Sequence, residues 1–341
     1  MTQVISNALP HTERALVSVI IPMYRVAAHL ERCLAQLRAQ TYQQLELIFV
    51  DDASPDDAYD YVSAHQAELE ALGMQVRLLR HEQNKGVAAA RNTALDAATG
   101  EYVYSFDADD AMEPNLIERL VVRAYQTGCD IVGCNWSLRY AGRDRAMAQP
   151  DVRTGEEMYA AMCYGVMKWN LWLFLVRRSL FDRGERLRFT PGDNMGEDMM
   201  MMSRLALRAE RVSIVPEVLY YYVKTNETAQ TASYRPEHWA QVDRNLRTLS
   251  ESLEREGRGE ALQLLHQLKL NLKLPLLISS NPEDYRRWQT WYPEANAYIM
   301  HNPRLSMRTK LLQLAAHRGQ WWLVGLYNRI VGEWLYKLIY K

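Results

Sequence analysis

The sequence predicts an α/β protein, with a mostly parallel sheet flanked by helices and a helical extension at the C-terminus. Three observations carry that reading. Short apolar, β-branched runs alternate with helix-length segments over roughly the first 135 residues. Those runs end in proline or in clustered aspartates, and the last hundred or so residues change to a leucine- and tryptophan-rich helical pattern. Strands alternating with helices imply βαβ units, and right-handed crossovers then bring the strand ends to one edge.

The elements follow in order. Val17–Ile21 (VSVII) is a continuous apolar run, a strand buried on both faces, and Pro22 is expected to stop it. Ala27–Ala39 is a helix with Leu30, Leu34 and Leu37 on one side. Leu45–Val50 (LELIFV) is a second strand that runs directly into Asp51-Asp52-Ala53-Ser54-Pro55-Asp56-Asp57. Asp56–Leu72 is compatible with a helix, and Val76–Leu79 with a third strand. Lys85-Gly86 opens an Ala-rich helix over Val87–Ala98 that carries Arg91-Asn92. Tyr102–Phe106 is a strand ending at Asp107, Asp109 and Asp110, followed by a helix over Pro114–Tyr125 and a strand that begins with Ile131–Cys134. The three strand ends at Pro22, Asp51 and Asp107 are expected side by side, where open α/β sheets bind their ligands.

Bulk properties narrow the partners. With 341 residues and a formal net charge of −1, the chain has room for a domain plus an appendage and offers no global electrostatic case for nucleic acid. Cys33, Cys129, Cys134 and Cys163 show no C-x-x-C and no paired metal-ligand spacing, a pattern of buried thiols in a reducing cytosol. The N-terminal stretch MTQVISNALPHTERA lacks a basic region followed by an apolar core, and no run of about 18 uncharged apolar residues occurs. A cytoplasmic protein is expected, soluble or peripheral on the inner membrane face.

The chemistry-bearing residues point to a nucleotide and a metal. Asp107 and Asp109 offer hard oxygens that suit Mg²⁺ or Mn²⁺, whereas the bland alternative is a solvated acidic turn before the next helix. Neither G-x-G-x-x-G nor G-x-x-x-x-G-K-[ST] occurs in the first half. Asp51 or Asp52 can accept from a base or ribose, and Arg91 can reach a base or a diphosphate unless it is simply a surface helix arginine. Glu197-Asp198 opens a helix that contains Met199, Met202 and Leu205, so its acids serve either the helix dipole or proton transfer.

These stretches resemble family 2 glycosyltransferases of the GT-A fold. The match rests on SVIIPMYRV, FVDDASPDD, NKGVAAARNTALDAATGEYVYSFDADD and the later GED, with four ordered blocks across about the first 110 residues. Arg25 stands where the family usually has Asn, Ala53 where it has Gly, and Ala94 where Gly often follows R-N-x. The resemblance implies a Rossmann-like GT-A domain over residues 1–233, with a nucleotide-sugar half at about 15–135, an acceptor half at about 136–233, and a helical region over 234–341. It further implies an inverting, metal-dependent transfer from a nucleotide-diphosphate sugar, UDP-linked, to a glycan or lipid-linked glycan acceptor in cell-surface polysaccharide synthesis. Asp198 maps onto the family's base and Glu197 onto its neighbour. Pro22, Tyr24, Asp51, Asp52, Lys85, Arg91, Asp107, Asp109 and Lys224 fall on the donor side, and Trp169 on the acceptor side. The rival readings are a sugar nucleotidyltransferase, which should carry a Gly-rich basic loop between Pro22 and Leu30, and a catalytically silent sugar-binding protein, which should have lost a metal aspartate or the Glu-Asp pair.

The tail has its own character. From Arg304 onward there are seven Lys/Arg and one acid, Glu333. Arg329, Glu333, Lys337 and Lys341 recur every fourth residue on a helix otherwise supplied by Trp321, Trp322, Leu326, Ile330, Trp334, Leu335, Leu338 and Ile339. Such a helix needs a core, a dimer partner formed through the C-terminal helices, or an anionic membrane surface.

Overall fold

A computed structural model describes residues 15–140, 143–224, 236–279 and 281–339, with backbone alone for 236 and 331–339. The first four strands are β1 (Val17–Met23), β2 (Leu45–Asp51), β3 (Gln75–Arg80) and β4 (Tyr102–Ser105), all parallel in the spatial order β3-β2-β1-β4. Three helices connect them: α1 (Ala27–Arg38), α2 (Ala58–Ala71) and α3 (Val87–Ala97). All of β2 is buried and so is nearly all of β1, which is why both read as continuous apolar runs. Met23 pairs with Asp51 and Ile20 with Ser105, so the strand ends do lie side by side.

Pro22 does not stop β1, contrary to expectation; the strand runs through it to Met23. The Val17 amide donates toward β2, to the Gln44 carbonyl, and the Ile20 carbonyl accepts from Phe106 on the β4 side. Alternation therefore turns the Pro22 nitrogen toward β4, beyond the last paired residue Ser105, where no ladder bond is lost.

The sheet continues as β8-β6-β9-β5. These strands are β5 (Ala111–Met112), β6 (Ile131–Tyr140), β8 (Phe174–Arg177) and β9 (Val212–Val223), while β7 (Arg143–Met147) forms a hairpin on β6. Only β6 and β9 pair in parallel here; β8 is antiparallel to β4 and β6, and β5 to β9. The intervening helices are α4 (Leu116–Thr127), α5 (Gly155–Cys163), α6 (Ser179–Asp182) and α7 (Glu197–Arg208).

Two compact units emerge from the contacts, one comprising residues up to Met158 with Trp169–Leu249, the other Tyr159–Lys168 with residues from Ser250 onward. The second is helical, containing α9 (Gly259–Lys273), α10 (Pro282–Thr290), α11 (Met307–His317) and α12 (Trp321–Ile339), while α8 (Pro236–Arg255) spans the chain between the two. Tyr159–Lys168 belongs there because the Tyr159 hydroxyl donates to the Ala261 carbonyl at 3.0 Å and Asn271 Nδ2 to the Cys163 carbonyl at 2.5 Å. Lys273 is fully buried, and its Nζ donates to the carbonyls of Trp288, Trp291 and Tyr292 at 3.2, 3.0 and 3.3 Å. Burial pushes its pKa down to about 8, and the carbonyls at the end of α10 take the place of a carboxylate partner. Trp321 stacks on Tyr285 at 5.4 Å, and Asn328 Nδ2 donates to the Leu277 carbonyl at 2.8 Å. The side chains of Glu333, Trp334, Leu335, Lys337, Leu338, Ile339 and Lys341 lie outside the described residues. Among the described residues no helix is long and apolar enough to cross a membrane, and all four cysteines are free and buried.

One buried carboxylate knits the parallel block together. Glu46 on β2 accepts from the Ser18 hydroxyl of β1 at 2.5 Å and from the Thr99 amide and hydroxyl at 2.8 and 2.9 Å, with Arg77 Nε of β3 at 2.9 Å. Burial alone would raise its pKa, but these donors outweigh it and hold the carboxyl below its ordinary value. Glu46→Gln should therefore lower stability at neutral pH by about 1–3 kcal/mol. Because the folded-state pKa is depressed, the wild-type advantage is present above the unfolded-state pKa and fades as pH falls through the folded one. Urea unfolding midpoints of both proteins from neutral to acid pH check this; a gap that does not close in acid contradicts it.

Candidate active site

The site is assembled around the start of α3. Gly86 has φ 87°, a conformation suited to glycine, and a Cβ there would stand 2.2–2.6 Å from the Asn194 side chain. That Asn194 accepts from the Ala88 amide at 3.1 Å, so a distant segment caps the helix. Asp52 braces the same turn from β2. Its Oδ1 accepts from the Lys85 amide at 2.9 Å and lies 2.6 Å from His81 Nδ1, and its Oδ2 accepts from the Gly86 amide at 2.7 Å. His81 in turn contacts Thr93 Oγ1 on α3 at 2.8 Å. Both Asp52 oxygens thus have partners within the protein, so its carboxylate braces the turn that starts α3.

With α3 fixed, Arg91 points inward and is buried. Its Nη1 donates to Glu197 Oε1 and to Asp198 Oδ1, both at 2.8 Å, and its Nη2 lies 3.6 Å from Asp107 Oδ1. Burial works against the guanidinium charge, but Asp198, Asp107 and Glu197 together outweigh it. Instead of reaching outward to a base or diphosphate, Arg91 joins the end of β4 to the start of α7. Asn92 holds the next turn, exchanging two 2.8 Å bonds with the backbone of Phe189.

The start of α7 is held from behind. Arg244 Nε donates to Asp193 Oδ1 at 2.7 Å, and Asn245 Nδ2 to the carbonyls of Asp193 and Met195 at 3.2 and 3.0 Å. Met199–Met202 are all buried, as core filler. Burial, then the neighbouring Asp198, pushes the Glu197 carboxyl above its ordinary pKa. The second oxygen of Asp198 accepts from the Leu171 amide at 3.3 Å, two residues from the half-buried Trp169.

The acidic turn divides its labour. Asp110 is buried and accepts from the Val223 amide and the Tyr220 hydroxyl, each at 2.8 Å, so it anchors β9. Asp107 and Asp109 remain half-exposed, and burial followed by Asp109 and Asp198, offset in part by Arg91, pushes Asp107 up to about 6. Among the described residues no set of three or more His, Cys, Asp or Glu is arranged to hold a metal. Two carboxylates fit a cation that takes its remaining ligands from water and a diphosphate, as Mg²⁺ commonly does.

The other sequence-predicted residues are more dispersed. Asp51 is buried beside Arg80 Nε at 2.9 Å, and burial raises its pKa. An open depression of about 360 Å³ lies next to it, lined by Ala53, Ser54, Arg80, His81 and Glu82. Tyr24 is exposed, with the Arg25 guanidinium 5.4 Å from its ring. Arg25 and Ala53, two of the three departures from the family pattern, both have left-handed backbone, at φ 57° and 51°. The usual Asn and Gly tolerate that conformation better. The ammonium of Lys224 lies 5.9 Å from the Tyr140 ring, and the loop after it, 225–235, lies outside the described residues. His81, Asn92 and Asn194 escaped sequence reading; the only hint was Asn92 within the A-R-N block.

Residues 18–208 match the model of glycosyl transferase family 2. A Bacillus subtilis protein named as an uncharacterized glycosyltransferase, EpsJ, is 31% identical over 229 residues, covering 65% of this chain and 64% of its own length. The chain therefore spans just under two thirds of that relative. Among solved structures, S. aureus TarS 1–349 in complex with UDP-GlcNAc aligns over 89% of both chains with a TM-score of 0.66 at 18% identity. A mannosyltransferase from Pyrobaculum calidifontis, in complex with GDP-Man and Mn²⁺, aligns over 93% of this chain and 84% of its own, with a TM-score of 0.52 at 20% identity. The architecture is that of the GT-A fold.

The ion-pair arrangement makes a prediction that needs no substrate. Arg91→Met removes the one cation that, among the described residues, contacts both Glu197 and Asp198, and should cost about 3–5 kcal/mol in chemical unfolding. Arg91→Lys should recover only part of the loss, because a point ammonium cannot reproduce the planar fork. An unchanged unfolding midpoint in Arg91→Met would show that the carboxylates do not depend on it.

Proposed function

The chain belongs to glycosyl transferase family 2, and from that premise we propose that it transfers a sugar from a UDP-sugar to a hydroxyl of a glycan or lipid-linked glycan acceptor in cell-surface polysaccharide synthesis, with inversion. The observation that carries the reading is the fixing of Asp198, whose two oxygens are held by Arg91 Nη1 and the Leu171 amide. A carboxylate so oriented keeps lone pairs for an acceptor hydroxyl and needs position more than an altered pKa. Asp198 takes the hydroxyl proton as the acceptor oxygen bonds to the anomeric carbon, and the bond from that carbon to the diphosphate breaks on the opposite face. One displacement turns an α-linked donor into a β-linked product.

Asp107 and Asp109 would hold Mg²⁺ or Mn²⁺, which when bound offsets the charge of the departing diphosphate. The depression beside Asp51, walled by Ala53 and Ser54, offers room for the base. Trp169 is the residue on the acceptor side, near the amide that orients Asp198. The UDP-sugar and Mn²⁺ bound by the two structural neighbours support the donor and metal classes by analogy.

Two measurements test the parts separately. Calorimetry with UDP should show tighter binding with Mg²⁺ or Mn²⁺ than with EDTA, and Asp109→Ala should abolish that difference; equal affinities with and without metal would remove the metal assignment. Asp198→Asn should slow turnover by roughly 10²–10⁴-fold while leaving UDP affinity nearly unchanged. Near-full turnover in that variant would shift the base to another group, Glu197 being the adjacent one.

A further inference from the structure

Helix α12 carries apolar side chains on its outward face as well as on its inward one. Its inward face carries Trp321, Val324 and Asn328, and the Asn328 amide donates to the carbonyls of Leu277 and Ser279 at 2.8 and 3.4 Å. Its outward face carries Trp322, Leu326 and Ile330, exposed by 70%, 48% and 57% and repeating every fourth residue. An ordinary surface helix keeps that outer face polar. On α11, which packs against α12, Met307 and Leu311 are each 57% exposed. Between Arg304 and Ile330 the sequence has five Lys/Arg and no Asp or Glu.

We propose that the outward face of α11 and α12 docks on an anionic lipid surface. The apolar stripe supplies side chains that enter the headgroup boundary, with a tryptophan suited to that depth, and the uninterrupted positive charge supplies attraction to lipid phosphates. A second copy is the less suitable occupant on charge grounds. A two-fold contact sets each patch against itself, so arginines such as Arg308 and Arg318 would meet like charges, with one acid, Glu333, against seven Lys/Arg from Arg304 onward. The inference is independent of the proposed sugar transfer, since its readout is lipid binding.

Flotation of the full chain with vesicles of equal parts phosphatidylglycerol and phosphatidylcholine, and with phosphatidylcholine alone, tests it. Binding is expected to the anionic vesicles, to weaken with added salt, and to be far lower on phosphatidylcholine. The combined Trp322→Ser, Leu326→Ser, Ile330→Ser variant should bind at least about tenfold more weakly with an unchanged unfolding midpoint, because those side chains already face solvent. Arg308→Ala and Arg318→Ala, which leave the apolar stripe intact, should each weaken binding about fivefold. The proposal is overturned if the full chain ignores anionic vesicles, or if it binds them equally well with the arginines or the stripe replaced. A wild-type dimer that the triple variant converts to monomer, with no lipid binding by either, would assign the face to a second copy.

Discussion

A single buried guanidinium holds the site in register. Arg91 brings one positive charge into a region that already contains Glu197 and Asp198 at 2.8 Å and Asp107 at 3.6 Å. Each group is costly to bury alone, and together they offset one another. The geometric result matters as much as the energy. The end of β4 and the start of α7 belong to different stretches of chain, and Arg91 fixes the spacing between the carboxylate expected to face the metal and the one expected to face the acceptor. Three further ties keep the guanidinium where it is: Asp52 at the helix start, Asn194 at its cap, and Asn92 on the following turn.

Adjacent aspartates divide the tasks of structure and chemistry. In each acidic run at least one carboxylate is bound up within the protein. Asp52 binds the amides that start α3, while Asp51 lies beside Arg80 and the open depression. In the turn after β4, Asp110 turns inward to anchor β9 through Tyr220 and Val223, leaving Asp107 and Asp109 half-exposed. A run of acids therefore overstates the number available to a ligand.

The sheet was legible because buried parallel strands write themselves as unbroken apolar runs, and crossover handedness then places their ends together. Pro22 misled, since proline forbids only a bond that β1 does not make at that point. The roles of Arg91 and Asp52 were hidden for a different reason. Arg91 and Glu197 are separated by 106 positions, and nothing in the local sequence says that a helix arginine will meet that acid rather than a phosphate. His81 and Asn194 are single polar residues in loops, with no pattern around them. The attachment of Tyr159–Lys168 to the helical unit was likewise unreadable, because it rests on side-chain bonds to backbone carbonyls rather than on periodicity. In α12 the composition was readable, but nothing in it marked Trp321, Val324 and Asn328 as the inward side.

The distant cap on α3 has a consequence for biosynthesis. An 11-residue helix is marginal by itself, and the acceptor for its Ala88 amide lies 106 residues further along the chain. At roughly 10 residues per second, translation leaves an interval of about ten seconds in which the acidic turn exists without Asn194 or the Glu197–Asp198 pair. During that interval Arg91 has no reason to be buried, and the loop that must close to bury it is long. The nascent chain can form its parallel strands early, yet the constellation that would act on a sugar nucleotide appears only when α7 docks, so catalytic competence has to wait for a segment made well after the parallel strands.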